Sequence, residues 1–385
     1  MLICSESSTL DTLVTLVHFS HLSSSTTILL LQPMNPVYLK DSIELLREMI
    51  KIPSLSKEEG PVATMMEQTL TKLGYKTYRD SNNVWVLSSG WNGELPTILL
   101  DSHIDTVRPA KSWTHDPFGA VEEGGKLFGL GSNDAGASVV ALLCAFRHLE
   151  QKPQSYNLIF CASAEEEISG LNGVASVLEK FGKIKLAVVG EPTGMQMAVA
   201  EKGLMVLDCE AKGKLGHAAR DEGENAIYKA MTDIRILQEL SLPQESDLLG
   251  SVKISVTMIE AGTQHNVVPD SCRFVADVRT NECYSNEEVY RIIAGKIESE
   301  VKPRSFRLNS SGIPLDHPLV KRGIALGLSA YGSPTTSDQA VIPCTSVKIG
   351  PGESARSHTA DEFIYLDEIS KGVEIYVKLL DQLQL

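Results

Sequence analysis

Four apolar segments of the sequence each lead, directly or after a short loop, into side chains that can bind a metal ion. These segments read TILLD, NLIFCASA, LAVVG and SVKIGP, and a further ligand-type residue precedes the apolar stretch ASVVALLCAFRHL. The residues concerned are, in chain order, His103 and Asp105, Asp134, the run Glu165, Glu166 and Glu167, then Glu191, and His358. Imidazole and carboxylate groups are suitable ligands for Zn²⁺ and related divalent ions, so this set could form a metal centre.

Each of these residues also has an ordinary structural explanation. Asp134 could cap the N-terminus of the following helix, a single histidine is more often structural than a ligand, and an acidic run commonly starts a solvated helix. These explanations do not account for the same arrangement recurring at the end of several strands. Carboxylates gathered at the end of a buried strand repel one another and are costly to desolvate unless a cation lies among them. Taken together, the residues favour a metal site.

The elements that would position these residues alternate between helix and strand. Apolar side chains recur at helical spacing in 39–50 and 62–73, and the stretch 137–149 is apolar nearly all round, which indicates a buried helix. Short apolar runs separate these helices, so we predict an α/β fold with a mostly parallel sheet covered by helices on both faces. Ligands bind beyond the carboxyl ends of parallel strands, and the metal-type residues are expected to converge there.

The character of the sequence changes between residues 195 and 305. Segments such as MVLDCEAKG, SVKISVTMIEAG and CRFVADVRT read as strands with one solvated face, and helical segments lie between and after them. This order is typical of a β-α-β-β-α-β unit, so we predict an inserted two-layer α+β domain of ferredoxin-like type. The predicted organisation is a catalytic domain over 34–194 and 306–385, with the insert over 195–305.

Charge and cysteine content narrow the function classes. The 385 residues carry a formal net charge of −14, which disfavours nucleic acid and anionic membranes as partners. The seven cysteines are scattered, with no CxxC pair, as is typical of reduced thiols in a cytoplasmic protein.

Residues 1–33 contain no Lys or Arg and so lack the basic region of a secretory signal. We expect this segment to be a disordered extension or an artefact of start-site assignment, with Met34 as the natural beginning.

Six motifs carry a family resemblance: SHIDTV, GSNDAGA, AEEEISG, GEPT, LGHAAR and SHTADEF, in this order. Together they resemble the dinuclear zinc aminoacylase and carboxypeptidase family, over about residues 36–385. That family includes acetylornithine deacetylase, succinyl-diaminopimelate desuccinylase, aminoacylase and glutamate carboxypeptidase, and the sequence is most similar to its acetylornithine deacetylase-like members. The resemblance implies a zinc-exopeptidase-like fold, and it implies that the insert is a dimerisation domain.

The resemblance also implies a role for each residue of the predicted centre. It places His103 and Glu191 on one ion, Glu167 and His358 on the other, and Asp134 between the two. The ions are expected to be Zn²⁺, with Co²⁺ as the alternative. Asp105 would hydrogen-bond His103, and Glu166 would be the general base that takes a proton from water and delivers it to the leaving amine. A slip of one residue within the run 165–167 would reassign the base and its neighbouring ligand.

Three further residues match family positions outside the metal centre, and a fourth residue, Arg356, stands just before His358 without such a match. His217 would stabilise the oxyanion in the active site of a neighbouring subunit, which implies a homodimer. Asn266 and Arg279 match positions that contact the substrate carboxylate. Arg356 either reads an acidic acyl group such as succinyl or pairs with Glu353 as a structural brace.

One motif departs from the family pattern. The family form around the bridging aspartate is Arg-Gly-x-x-Asp-Met-Lys-Gly, whereas this chain has Leu-Gly-Ser-Asn-Asp-Ala-Gly at 130–136. Two basic residues are therefore missing, which leaves the side-chain preference for the substrate open.

The function predicted from these features is removal of an acetyl or succinyl group from an N-acyl amino acid, such as N-acetylornithine or N-acetylcitrulline, in arginine biosynthesis. The alternatives are a metallo-exopeptidase (a dipeptidase or carboxypeptidase) and a succinyl-diaminopimelate desuccinylase. A binding protein with a defunct centre is a third class, but the complete set of five ligands and a base argues against it. The expected partners are a small-molecule substrate and a second copy of the chain, with no nucleic acid and no membrane.

Overall fold

The structure is a computed structural model that describes residues 35–220 and 222–385. The prediction for residues 1–33 lies outside the described residues. Among the residues that are described, no helix is long and apolar enough to cross a membrane.

The described chain alternates between helices and strands, as the apolar periodicity predicts. The helices are α1 Pro36–Ile50, α2 Gly60–Lys72, α3 Ala137–Leu149, α4 Leu178–Phe181, α5 Ala226–Glu239, α6 Asn286–Ala294, α7 Pro318–Ala325 and α8 Leu366–Leu380. The strands are β1 Thr77–Asp80, β2 Asn83–Leu87, β3 Thr97–His103, β4 Val121–Glu123, β5 Lys126–Phe128, β6 Asn157–Ser163, β7 Ile184–Val189, β8 Met197–Glu201, β9 Gly203–Lys212, β10 Gly216–His217, β11 Lys253–Ala261, β12 Val267–Val268, β13 Ser271–Thr280, β14 Glu300–Pro303, β15 Ser311–Gly312, β16 Ala330–Ser333, β17 Ser346–Lys348 and β18 Phe363–Tyr365.

The central sheet has the strand order β1-β2-β6-β3-β7-β17-β8-β15, with β16 also paired to β8. Its middle strands β6, β3, β7 and β17 run parallel to one another, and every residue of β3 and β6 is buried. The apolar helix α3 is buried along its whole length and packs against β3 and against helices α1 and α8. The predicted α/β fold with a mostly parallel sheet is therefore confirmed.

A second, four-stranded antiparallel sheet has the order β11-β13-β9-β14. In chain order its elements read β9, α5, β11, β13, α6 and β14, which is the predicted β-α-β-β-α-β succession. Helix α5 packs on this sheet, and alternate residues of β9, from Met205 to Ala211, lie in the core beneath it. The division of the chain into domains at 195 and 305 and the role of the insert in dimerisation stay predictions.

A buried ion pair lies where the chain passes from one sheet to the other. Glu201 ends β8 and is fully buried, and the Lys348 ammonium at the end of β17 lies 3.1 Å from its Oε2 atom. Ser337 donates from its amide and its hydroxyl to the Glu201 carboxylate, and Lys348 donates to the Thr335 carbonyl oxygen. The two charges are thus compensated by each other and by neighbouring hydrogen bonds, as a buried pair requires.

Candidate active site

The carboxyl ends of four neighbouring strands deliver the predicted site residues. Strand β3 ends at His103, β6 runs into Glu166 and Glu167, β7 precedes Glu191, and β17 leads through a loop to His358. Because these strands are parallel neighbours, their ends lie on one edge of the sheet. The local signal in the sequence, a buried strand followed by a ligand-type residue, therefore corresponds to one place in the structure.

The first group of side chains surrounds His103, which is almost fully buried. Its Nε2 atom lies 3.2 Å from Asp134 Oδ1, 3.7 Å from Glu191 Oε1 and 3.9 Å from Glu166 Oε2. Ligand atoms of His103, Glu166 and Glu191 lie within 4.8 Å of one another, so the Glu166 carboxylate lies directly beside the two residues predicted to hold the first ion.

The second group surrounds His358. Its Nε2 atom lies 2.9 Å from Glu167 Oε2 and 3.7 Å from Asp134 Oδ2. Asp134 thus offers one carboxylate oxygen to each histidine, because its Oδ1 faces His103. A carboxylate in this position can bridge two ions about 3.5–4 Å apart.

Of the three glutamates at 165–167, Glu165 turns its side chain away from the two histidines. That residue has a left-handed φ of +56°, and its carboxylate accepts hydrogen bonds from the Asn172 amide and side chain at 3.2 and 2.9 Å. Its side chain is therefore engaged outside the two groups, whereas Glu166 and Glu167 face the two histidines. The alternative register of the run would have placed Glu165 in the centre, and the geometry does not.

Asp105 organises both the histidine and the acidic run. It is fully buried, its carbonyl oxygen lies 3.0 Å from His103 Nδ1, and its carboxylate Oδ1 lies 3.5 Å from the same nitrogen. The same carboxylate accepts hydrogen bonds from the amides of Glu166 and Glu167 at 3.0 and 3.2 Å and from the Ser56 hydroxyl at 2.7 Å. The sequence predicted only the contact with His103, because the amide contacts depend on the fold of the loop after β6.

We expect the substitution Asp105→Asn to weaken metal binding and turnover by roughly 10–100-fold, as substitutions behind a metal-binding histidine do. The amide would lose the charge that orients His103 and could accept only part of the hydrogen bonds from the Glu166 loop. Metal affinity and kcat measured side by side would check this. Wild-type values for both would contradict the positioning role of Asp105.

The electrostatics of the site indicate a deficit of positive charge. Burial raises the pKa of Glu191 to about 8, and the neighbouring carboxylates Asp134 and Glu167 add to the rise. Burial likewise raises the pKa of Glu166 well above its usual range, with Glu191 as the next contributor. The hydrogen bond to Glu167 raises the pKa of His358 to about 9. Divalent cations would relieve this repulsion.

The residues present fit a pair of divalent ions. Within the described chain the Glu191 Oε1 atom is buried and has no hydrogen-bond partner, although it faces His103. A buried carboxylate oxygen left unpaired is costly unless it binds a cation. The set of imidazole and carboxylate ligands suits Zn²⁺ or Co²⁺.

The buried carboxyl groups also predict how the stability of the metal-free protein depends on pH. Burial raises the pKa of Asp101 to about 7 and those of Glu191 and Glu362 to about 8, against roughly 4 in an unfolded chain. The folded state therefore binds more protons than the unfolded state between about pH 4 and 8, and its stability falls as pH rises. The raised pKa of His358 acts in the same direction up to about pH 9.

The unfolding midpoint of chelator-treated protein is therefore expected to fall by at least roughly 3 °C from pH 6 to pH 8, since one proton per pH unit is worth about 1.4 kcal/mol. Added Zn²⁺ should raise the midpoint more at pH 8 than at pH 6, because ions bind the deprotonated carboxylates. Thermal melts across this range, with and without the ion, are the check. A metal-free midpoint that rises with pH would refute the charge deficit.

His217 and Asn266 lie together, but outside this group. His217 belongs to the short strand β10, which pairs with β12, and the neighbouring Ala218 amide donates to the Asn266 carbonyl oxygen at 3.0 Å. Both residues are exposed. In the described part of the chain neither makes a hydrogen bond or ion pair with the residues around His103 and His358, so their predicted roles stay predictions.

The two arginines predicted to read the substrate are each paired with a carboxylate of the chain. Arg279 contacts Asp277 with two nitrogens, at 2.8 and 3.0 Å, and Arg356 contacts Glu368 with two nitrogens, at 2.7 and 2.9 Å. The alternative in which Arg356 forms a brace with Glu353 is therefore wrong in its partner, because the loop turns the guanidinium towards α8. The substrate roles of both arginines stay predictions.

Comparison with known proteins agrees with the fold and identifies the family. Residues 99–382 match the model of peptidase family M20/M25/M40. The chain is 25% identical over 376 residues to a succinyl-diaminopimelate desuccinylase of Paracoccus denitrificans, covering 89% of this chain and 98% of the relative. It is 28% identical over 270 residues to the enzyme of the same name from Cereibacter sphaeroides, covering 65% and 70%.

Solved structures with the same fold include an aminopeptidase PepT from Bacillus cereus, with a TM-score of 0.71, 20% identity and coverage of 89% of this chain and 98% of that one. An M20 metallo-carboxypeptidase from Sulfolobus solfataricus has a TM-score of 0.68 at 18% identity, covering 89% and 99%. The dinuclear metal binding peptidase YxeP from Bacillus subtilis has a TM-score of 0.66 at 18% identity, covering 90% and 98%. The family match spans well over half of the sequence, and it confirms the resemblance carried by the six motifs. The chain belongs to peptidase family M20/M25/M40 and is a metal-dependent hydrolase of linear amide bonds.

Proposed function

We propose that this enzyme hydrolyses the amide bond of an N-acyl amino acid and releases acetate or succinate and the free amino acid. N-acetylornithine and N-acetylcitrulline are the first candidate substrates, which would place the reaction in arginine biosynthesis. The observation that carries the proposal is the position of Asp134 between His103 and His358, with the Glu166 carboxylate beside the first histidine. Such an arrangement suits the attack of water on an amide carbonyl, with the Glu166 carboxylate close enough to act as the base.

The metal-binding residues divide into two sets that share Asp134. His103 and Glu191 would hold one ion, and Glu167 and His358 the other. Two Zn²⁺ ions, or Co²⁺ in their place, would polarise the amide carbonyl and make a water molecule more acidic. The chain would supply the ligands, and Asp105 would keep the His103 ring in one orientation.

Glu166 would move the proton. Its carboxylate would take a proton from the attacking water and deliver it to the amide nitrogen as the bond to the acyl carbon breaks, so that the amine leaves in neutral form. A pKa raised by burial suits both halves of this task, because the group must accept a proton and then give it up near neutral pH. The proton count balances, since the acyl product takes the hydroxyl of the water.

A homodimer would complete the site. His217 is exposed and lies on β10, which pairs with β12; as the family resemblance implies, it would stabilise the oxyanion in a second copy of the chain. The edge strand β11 exposes the apolar side chains of Met258 and Ile259, which is unusual for an unpaired edge and is consistent with pairing to another subunit. Asn266 and Arg279 would contact the substrate carboxylate.

We place the enzyme in the cytoplasm. The cysteines of the described chain are free, and Cys144, Cys161, Cys209 and Cys272 are buried. Unpaired, buried thiols are typical of a reducing compartment.

A second candidate reaction is the desuccinylation of N-succinyl-diaminopimelate. The relatives from Paracoccus and Cereibacter carry that activity in their names, and they align over most of the chain. Their identity of 25–28% leaves room for a different amino acid. The same site could also serve a dipeptidase or carboxypeptidase, because the bond attacked is an amide in each case.

A substrate panel separates these possibilities. The protein, supplied with Zn²⁺ or Co²⁺, is given the N-acetyl and N-succinyl derivatives of ornithine and citrulline, N-succinyl-diaminopimelate and Ala-Xaa dipeptides, and release of free amino acid is measured. We expect kcat/KM for an acetylated or succinylated ornithine or citrulline to exceed that for every dipeptide by at least about tenfold, or 1.4 kcal/mol. A preference for N-succinyl-diaminopimelate or for a dipeptide would assign one of the alternatives instead.

A further inference from the structure

A buried amide connects two distant segments of the chain beside the predicted centre. Asn133, immediately before Asp134, is fully buried. Its side-chain oxygen accepts from the Glu353 amide at 3.0 Å, and its side-chain nitrogen donates to the Glu353 carbonyl oxygen at 3.1 Å. One side chain thus satisfies both backbone groups of a single residue, as a neighbouring strand would.

The residues on either side of Asn133 allow this contact and hold it in place. A Cβ atom on Gly352 would lie 2.3 Å from the Asn133 side-chain oxygen, and Gly352 has a φ of +87°, so only glycine allows this approach. On the other side, the Glu362 carboxylate accepts from the amides of Asn133 and Asp134 at 2.9 and 3.0 Å. The backbone of Asn133 is therefore held by Glu362, while its side chain holds the segment that begins at Gly352.

That segment carries His358, the most exposed member of the predicted ligand set. The His358 side chain is 55% exposed, whereas the others range from 1% to 14%. Little packing fixes His358, so its position depends on the hydrogen bonds of the loop before it. Asn133 also donates to the Ser357 hydroxyl at 3.4 Å, next to the histidine itself.

We propose that Asn133 is a positioning residue for one half of the metal centre. Its amide joins the turn that presents Asp134 to the loop that presents His358, and so sets the separation of these two ligands. The His103 ring itself is fixed without Asn133, by its place at the end of β3 and by its contact with Asp105. The inference rests on the proposed two-ion function. It adds that loss of the Asn133 amide weakens binding of the ion held by Glu167 and His358, while the other ion stays bound.

Calorimetric binding of Zn²⁺ to chelator-stripped protein tests this inference. We expect the wild type to bind two ions, and Asn133→Ala to bind one ion within about twofold of the wild-type affinity and the other roughly 10–100-fold more weakly, the range found when groups behind a metal ligand are removed. Asn133→Asp keeps the acceptor for the Glu353 amide but turns its second oxygen towards the Glu353 carbonyl oxygen, so it should weaken binding of the same ion at least as much as the alanine variant does. It also serves as the readout if the alanine variant does not fold.

Asn281→Ala is the matched control. Asn281 is equally buried and also bonds backbone groups, namely the carbonyl oxygens of Gln244 and Gly250 at 3.5 and 2.8 Å and the Cys283 amide at 3.2 Å, but it follows β13 of the four-stranded sheet. It should bind both ions as the wild type does. If the Asn133 variants bind both ions equally more weakly than the wild type, or bind both with wild-type affinity, the positioning role would be overturned. A wild type that binds fewer than two ions would instead overturn the proposed function.

Discussion

Replacement of Glu166 by glutamine is expected to lower kcat by roughly 10²–10⁴-fold while both ions stay bound, because this is the range that a positioned general base contributes. Glutamine has nearly the same shape as glutamate but cannot accept and return a proton. The ligand sets proposed for the two ions do not include Glu166, so the metal content should not change. Steady-state kinetics on an N-acyl amino acid and metal analysis of the same preparation would measure both quantities.

The matched control is Glu165→Gln. This neighbour faces Asn172 and has no atom in either group of ligands, so its variant should keep kcat within about tenfold of the wild type. The pair of variants tests the register of the acidic run, which the motif alone left open. Near wild-type turnover by Glu166→Gln, or a collapse of turnover only in Glu165→Gln, would refute the assignment of the base.

The second large effect concerns stability. We expect Lys348→Met to lower the free energy of unfolding by about 3–5 kcal/mol, because removal of one partner leaves a buried charge uncompensated. Glu201 is fully buried and Lys348 is 3% exposed, so neither can be solvated in place. Urea unfolding followed by circular dichroism would give the change.

Two comparisons separate the buried charge from the loss of a long side chain. In the double variant Glu201→Gln/Lys348→Met no charge remains buried, so part of the lost stability should return. Lys212→Met removes an exposed lysine that pairs with Glu300, and it should leave the stability nearly unchanged. If Lys348→Met is no more destabilising than Lys212→Met, the buried pair does not contribute as described.

The sequence predicted those features of the site that have a local signal. His103, Glu191 and the run at 165–167 each follow an apolar strand, and parallel strands bring their ends together whatever the details of the loops. The central sheet and the order of elements in the four-stranded sheet were predictable for the same reason, since strand and helix periodicities are local properties of the chain.

Contacts between distant segments were not predictable in this way. The partner of Arg356 is Glu368 and not Glu353, because the path of the loop decides which carboxylate the guanidinium reaches. The pairing of Glu201 with Lys348 has no trace in the sequence, where each is an ordinary charged residue near the end of a strand. The three-stranded sheet of β18, β5 and β4 was missed because its strands are only three residues long.

The central claim is that two divalent ions held around Asp134 are needed for hydrolysis of an N-acyl amino acid. It is tested most directly by stripping the protein with a chelator and returning Zn²⁺ in measured equivalents while release of the free amino acid is followed. We predict that the stripped protein is inactive and that activity rises with added ion and reaches its plateau at two equivalents per chain. Hydrolysis by the stripped protein, or no hydrolysis of any N-acyl amino acid at full occupancy, would contradict the claim.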